Sequence, residues 1–123
     1  MYKISVEQNF DAAHALRGYK GKCEALHGHR FRVVARVTTL QLNDIGLAYD
    51  FTQLKAELKI LLEHFDHTTL NDIPPFDEIN PSSENIASTL YDQLKTALKQ
   101  KPVKLEAVEV WESPESGVEY SPE

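Results

Sequence analysis

A single cysteine, Cys23, in 123 residues cannot close an internal disulfide, so nothing points to an oxidising compartment. Basic residues are in the minority. Lys and Arg number 13 against 19 Asp and Glu, for a net charge of -6 with the histidines neutral. That excludes a general nucleic-acid binder, which needs a basic footprint. Long apolar runs are missing, so no segment is suited to cross a membrane as a helix. Met1 opens directly onto an alternating, strand-like segment with no basic-then-apolar leader, and a cytoplasmic location is the expectation. No repeat, low-complexity tract or domain boundary interrupts the chain, so residues 1–123 read as one domain with a real core.

What is present is alternation, then helical spacing, then alternation again. Tyr2, Ile4, Val6 and Phe10 alternate with Lys3, Ser5, Glu7 and Asn9, which predicts a half-buried strand. Phe31, Val33, Ala35 and Val37 alternate with Arg30, Arg32 and Arg36 in a second. Asp50 and Gln53 form a helix-start pair. Phe51, Leu54, Leu58, Leu61, Leu62 and Phe65 follow at helical spacing. Residues 66–83 form a long connection with three prolines, Pro74, Pro75 and Pro81. Ser82 or Ser83 caps a second helix with the stripe Ile86, Leu90, Leu94, Ala97 and Leu98, and Pro102 ends it. Residues 103–112 read as a third strand with a bulge near Ala107-Val108. Residues 117–121 read as a short fourth. Strands with both helices between them predict an α+β fold, an antiparallel sheet with the helices on one face. Its open edges are a reason to oligomerise.

Chemistry concentrates in Cys23-Glu-Ala-Leu-His27-Gly-His29. His14 shares the even register of Tyr2, Ile4, Val6 and Phe10. His27 and His29 share the odd register of Phe31 and Val33. If both strands run on without a bulge, three imidazoles leave the buried face at one end of a hairpin. His27 and His29 would stand roughly 6 to 7 Å apart at Cα, close enough to share one ion. Three neutral nitrogens with an open position is the pattern of catalytic zinc. Cys23 as a fourth ligand would instead close a structural site. A dication and Lys22 nearby would favour its thiolate. His64 has no such context and reads as an exposed helix-end residue.

Asp66-His67 follows the first helix. On its own it reads as a surface pair at a helix end; the alternative is a proton-transferring imidazole with a carboxylate to orient it. Neighbours in an extended chain point apart, so the pairing needs a turn or a third group. Glu112, after Trp111 at the end of the third strand, reads as a solvated strand end, with the alternative that it accepts two hydrogen bonds from the N–H edge of a guanidine-like heterocycle. From Arg17 to Arg32, five basic residues face one acid, Glu24. On composition that window reads as a solvated loop and strand face, with attraction of a small polyanion as the alternative.

His14, Cys23-x-x-x-His27-Gly-His29, Tyr49-Asp50-Phe51, Asp66-His67, Pro81-Ser82-Ser83-Glu84-Asn85 and Trp111-Glu112 occur in the order of the 6-pyruvoyl-tetrahydropterin synthase family. The chain resembles its 6-carboxy-tetrahydropterin synthase branch, of the queuosine pathway, over nearly its whole length. The resemblance implies the tunnelling or T-fold, ββααββ with a four-stranded antiparallel sheet. It also implies trimers whose sheets close into a barrel, two of them stacked as a hexamer, with active sites between subunits. By position, His14, His27 and His29 would bind Zn2+ and Cys23 would be the proton-abstracting base. His67, oriented by Asp66, would complete proton transfer. Glu112 would anchor the pterin, with Ser82 or Ser83 nearby. The implied substrate is 7,8-dihydroneopterin triphosphate, converted to 6-carboxy-5,6,7,8-tetrahydropterin, acetaldehyde and triphosphate. Arg17, Lys20 and Lys22 become candidates for the triphosphate. Glu24 resembles the glutamate with which a related branch cleaves dihydroneopterin to 6-hydroxymethyl-dihydropterin, and a pyruvoyl product is a further alternative. The competing class is a non-catalytic zinc module closed by Cys23.

Overall fold

The computed structural model describes residues 1–19, 21 and 25–123. Two 13-residue strands, β1 (Tyr2–His14) and β2 (His27–Thr39), pair antiparallel along their whole length, from Tyr2↔Thr39 to His14↔His27. The alternation of the sequence appears directly as burial. Val6, Phe10, Ala12 and His14 on β1, and Phe31, Val33, Ala35 and Val37 on β2, face the core. After β2 the chain forms α1 (Phe51–Leu62), a two-residue β3 (Thr68–Thr69) and a 3-10 turn (Leu70–Asp72). Then come α2 (Ser83–Ala97), β4 (Lys104–Ser113) and β5 (Ser116–Tyr120). The sheet order is β3-β1-β2-β4-β5.

The architecture is α+β, a T-fold in which α1 packs on β1 and α2 on β4 and β5. β1, β2, β4 and β5 form the expected antiparallel sheet, and β3 adds a fifth strand, parallel to β1 through Ala12↔Thr68 and Ala13↔Thr69. Two residues carry no readable alternation, so β3 left no mark in the sequence. Asp50 caps α1 by accepting from Thr52 N–H, and Ser82 caps α2 by accepting from Asn85 N–H at 3.1 Å. α1 stops at Leu62 rather than running to Phe65. Phe65 still enters the core, 1% exposed, from the turns that follow.

Two irregularities in β4 place single acidic residues. The β2–β4 register jumps from Arg36↔Ala107 to Val37↔Leu105, leaving Glu106 as the extra residue. This bulge lies one position before the predicted Ala107-Val108. The β4–β5 register jumps from Trp111↔Gly117 to Ser113↔Ser116, leaving Glu112 extra. Such an insertion bends a strand and re-aims the side chain it carries. Trp111 lies flat over Gly117, where any Cβ would fall 2.2 Å from an indole carbon.

Ion pairs run between strands on the polar side chains of the sheet. Arg36 reaches Glu109 at 2.6 Å and Glu119 at 2.8 Å, and Arg32 reaches Glu7 at 3.1 Å with its guanidinium 5.0 Å from the Trp111 ring centre. The outer edge of β1 from Tyr2 to Asp11 and the outer edge of β5 have no strand partner among the described residues. No helix among the described residues is long and apolar enough to cross a membrane.

Candidate active site

The unbroken β1–β2 ladder sets His14 opposite His27 and Ala12 opposite His29. The three imidazoles converge. Ring centres lie 4.7 Å apart for His14–His27, 5.1 Å for His14–His29 and 4.7 Å for His27–His29. One nitrogen from each lies within 4.8 Å of the other two. Phe31 forms the floor, edge-on to His14 and His29 at 5.3 and 5.4 Å.

Two carbonyls fix the ring orientations. His14 Nδ1 meets Pro81 O at 2.6 Å, and His27 Nδ1 meets Ala25 O at 2.8 Å. A carbonyl only accepts, so each neutral ring carries its proton on Nδ1 and leaves the Nε2 lone pair free. His14 Nε2 and His29 Nε2 are buried without a hydrogen-bond partner among the described residues. A buried polar atom left unpaired is costly. Two of them facing a third imidazole fit a divalent cation, with imidazole as a preferred zinc ligand. Burial, more than the proximity of the other histidines, lowers the pKa of His14 below its ordinary value, and burial likewise lowers that of His29. Both are neutral at neutral pH, the state a metal requires.

Glu112 closes one side. Its Oε2 lies 3.3 Å from His29 Nε2 and 4.0 Å from His14 Nε2. Because those rings are neutral, the contact is not an ion pair. The carboxylate stands at the mouth of the histidine cluster, a third exposed, with acceptor capacity to spare.

Asp66 and His67 form a second group. His67 adopts φ +58°, a left-handed conformation uncommon outside glycine. That turn folds the imidazole back so that Nδ1 lies 3.0 Å from Asp66 Oδ2. The third group the sequence called for is the backbone of Asp11. Asp66 Oδ1 accepts from Asp11 N–H at 2.8 Å, and His67 N–H donates to Asp11 O at 2.6 Å. The Asp66 pKa falls below its ordinary value, chiefly through the Asp11 N–H bond and then through His67. A depressed carboxyl pKa contributes stability above the unfolded value, near 3.8, that is lost as pH falls through the folded value. Asp66→Asn should therefore destabilise the protein at neutral pH, with the gap to wild type narrowing below about pH 4. Urea titrations of both proteins between pH 3 and 7 check this, and a gap independent of pH would contradict it.

The two groups remain apart within one chain. Asp11 clusters with Asp66 and His67, while the neighbouring even positions carry Phe10, Ala12 and His14 to the opposite, buried side of β1. Ser82 uses its Oγ as the α2 cap, and Ser83 is the first residue of that helix. Arg17 directs its guanidinium to the carbonyls of Phe76, Ile79 and Asn71 at 2.7, 3.2 and 3.4 Å. Cys23, Glu24, Lys20 and Lys22 lie outside the described residues. The sequence reading missed the Pro81 and Ala25 carbonyls and the Asp11 amide. All are backbone groups, which residue identity does not advertise.

The candidate site is thus a three-histidine cluster at the open end of the β1–β2 hairpin, with a carboxylate at its mouth and an Asp-His pair beside the sheet edge of this T-fold. The family model described as 6-pyruvoyl tetrahydropterin synthase matches residues 3–123, and the chain belongs to that family. It is 38% identical to the 6-carboxy-5,6,7,8-tetrahydropterin synthase of Synechocystis, over 98% of this chain and 93% of that protein. It is 34% identical to the dihydroneopterin monophosphate aldolase of Pyrococcus furiosus, over 95% of each chain. The structure of Caenorhabditis elegans 6-pyruvoyl tetrahydropterin synthase superposes with a TM-score of 0.88 at 26% identity, covering 99% of this chain and 96% of that one.

Proposed function

We propose that this protein, acting as one domain over residues 1–123, is a zinc-dependent 6-carboxy-5,6,7,8-tetrahydropterin synthase. It would convert 7,8-dihydroneopterin triphosphate to 6-carboxytetrahydropterin, acetaldehyde and triphosphate. The observation that carries the metal is the pair of buried, unpartnered Nε2 atoms of His14 and His29 facing His27. Similarity to the Synechocystis synthase supports the reaction. The reading carries a cytoplasmic location and a place in queuosine biosynthesis with it.

His14, His27 and His29 would hold Zn2+, which when bound would polarise the side-chain oxygens of the substrate and make the neighbouring C–H and O–H groups more acidic. Glu112 accepts two hydrogen bonds from the N–H edge of the pterin and sets the ring beside the cluster. Cys23 removes a proton as thiolate. His67, its ring held through Nδ1 by Asp66, moves a proton at Nε2. Ser82 and Ser83, at the first turn of α2, border the pterin. Arg17 does not serve the triphosphate on this reading, because backbone carbonyls take up its guanidinium; Lys20 and Lys22 keep that role.

The separation of the Asp66–His67 pair from the histidines supports a site completed between copies. The free edges of β1 and β5 allow it. Pairing β5 of one copy with β1 of the next is a head-to-tail contact that closes into a ring. A trimeric barrel, doubled to a hexamer, is the assembly we assign.

A second reading is side-chain cleavage to 6-hydroxymethyl-dihydropterin through Glu24, favoured by the similarity to the Pyrococcus aldolase. Incubating the zinc-loaded protein with dihydroneopterin triphosphate separates the two. Acetaldehyde with 6-carboxytetrahydropterin is the expected outcome. A hydroxymethyl or pyruvoyl product would move the protein to another branch. No turnover, with sulfur in the zinc shell by X-ray absorption, would make it a structural zinc module.

A further inference from the structure

The chain leaving His14 is fastened to the connection that precedes α2 by two asparagines acting as substitute strand. Asn71 Oδ1 accepts from Ala15 N–H at 2.9 Å, and Asn71 Nδ2 donates to Ala15 O at 2.9 Å. Two residues on, the pattern repeats. Asn80 Oδ1 accepts from Arg17 N–H at 2.8 Å, and Asn80 Nδ2 donates to Arg17 O at 2.9 Å. Each amide presents one donor and one acceptor to one residue, the pairing that a neighbouring strand would otherwise supply. Nothing in the alternation of β1 requires this. β1 ends at His14, and residues 15–17 would have no ladder of their own.

The fastening brackets one atom. Pro81 follows Asn80 directly, and its carbonyl is the one that meets His14 Nδ1 at 2.6 Å. Asn80 is held from a third side as well, since its own carbonyl accepts from Asn85 Nδ2 at 2.9 Å. Asn85 N–H is in turn bound by the Ser82 cap. The Pro81 carbonyl is thus pinned between a paired asparagine and a capped helix start.

We propose that Asn71 and Asn80 are positioning residues of the metal site. They hold the Pro81 carbonyl against His14 Nδ1, and so keep the proton of that ring on Nδ1 and its Nε2 lone pair turned toward His27 and His29. Arg17, bridging carbonyls from Asn71 to Ile79, stiffens the same connection. This rests on the three histidines binding zinc. Outer partners of a ligating histidine set its tautomer and ring angle, and their loss typically weakens metal binding by about 10–100-fold.

The test compares wild type, Asn80→Ala and Asn43→Ala. Asn43 is a matched control, because its Oδ1 also accepts two loop amides, from Ile45 and Leu47, near the other end of β2. Zinc affinity is read by chelator competition, and the His14 tautomer by 15N NMR of the metal-free protein. Asn80→Ala should bind zinc about 10–100-fold more weakly. Its His14 should lose the single Nδ1–H form, with the circular dichroism of the metal-free protein retained. Asn43→Ala should change stability without changing affinity or tautomer. If Asn80→Ala fails to fold, Arg17→Met takes its place, with an expected loss of about threefold to tenfold from weakened backing of the connection. Wild-type affinity and an unchanged tautomer in the folded variant would overturn the proposal while leaving the zinc reading intact. A wild-type protein that takes up no zinc would overturn that reading, and the role of the clasp with it.

Discussion

His29→Ala should lower zinc affinity by about a hundredfold to a thousandfold and remove turnover, while leaving the protein folded. The size follows from sharing. Structural zinc sites with four ligands are worth about 10–16 kcal/mol, so one ligand carries roughly 2.5–4 kcal/mol, or about two to three factors of ten. His29 suits the experiment better than His14. Its side chain is 23% exposed, whereas His14 is 2% exposed and wedged against Phe31. Trimming His14 would leave a cavity and mix a packing loss with the metal loss. Removing His29 also relieves a buried, unpaired Nε2, which offsets part of any loss in metal-free stability. Isothermal titration with zinc, beside urea unfolding of the metal-free protein, measures both quantities. Undiminished zinc binding in a folded His29→Ala protein would show that the convergence of these rings serves something other than a metal.

Cys23→Ala should retain zinc at the wild-type level and lose about 10²–10⁴ in kcat, the range for removing a positioned proton-transfer group. The two variants form a pair. One tests the proposed metal ligand, and the other tests the proton acceptor proposed at Cys23. Among the described residues, three imidazoles converge as candidate metal ligands. If Cys23→Ala lost zinc in step with activity, the thiolate would be a fourth ligand and the site closed, which is the structural reading. Quantifying bound metal in the purified variant, with acetaldehyde release measured on the same sample, decides between them.

The histidine cluster was readable in the sequence because period-two alternation is a strong rule where one face is buried. Phe10 and Phe31 stack at 4.9 Å as directly opposed residues, and once that register is fixed, His14, His27 and His29 have no freedom to point elsewhere. The helix starts at Asp50 and Ser82 were readable for a similar reason, since a side-chain cap is local chemistry. What escaped is not local. β3 exists only because residues 66–69 are drawn against Asp11, Ala12 and Ala13. The shifts that single out Glu106 and Glu112 depend on which residue the neighbouring strand offers. The Asp66–His67 pairing depends on a positive φ that histidine seldom adopts without outside hydrogen bonds to hold it.

Trp111 is the only tryptophan in the chain. It stands one residue before Glu112, its Nε1–H donates to Glu109 Oε1 at 2.9 Å, a guanidinium lies over its face and Gly117 lies beneath. All indole emission from the chain therefore originates at a single ring next to the carboxylate proposed for the pterin. Its colour and intensity are set by one charged neighbourhood, undiluted by any other indole. A ligand seated at Glu112 would alter the surroundings of that one ring, and so its emission. If Glu112 seats the pterin as proposed, Trp111 would serve as a built-in optical gauge of occupancy.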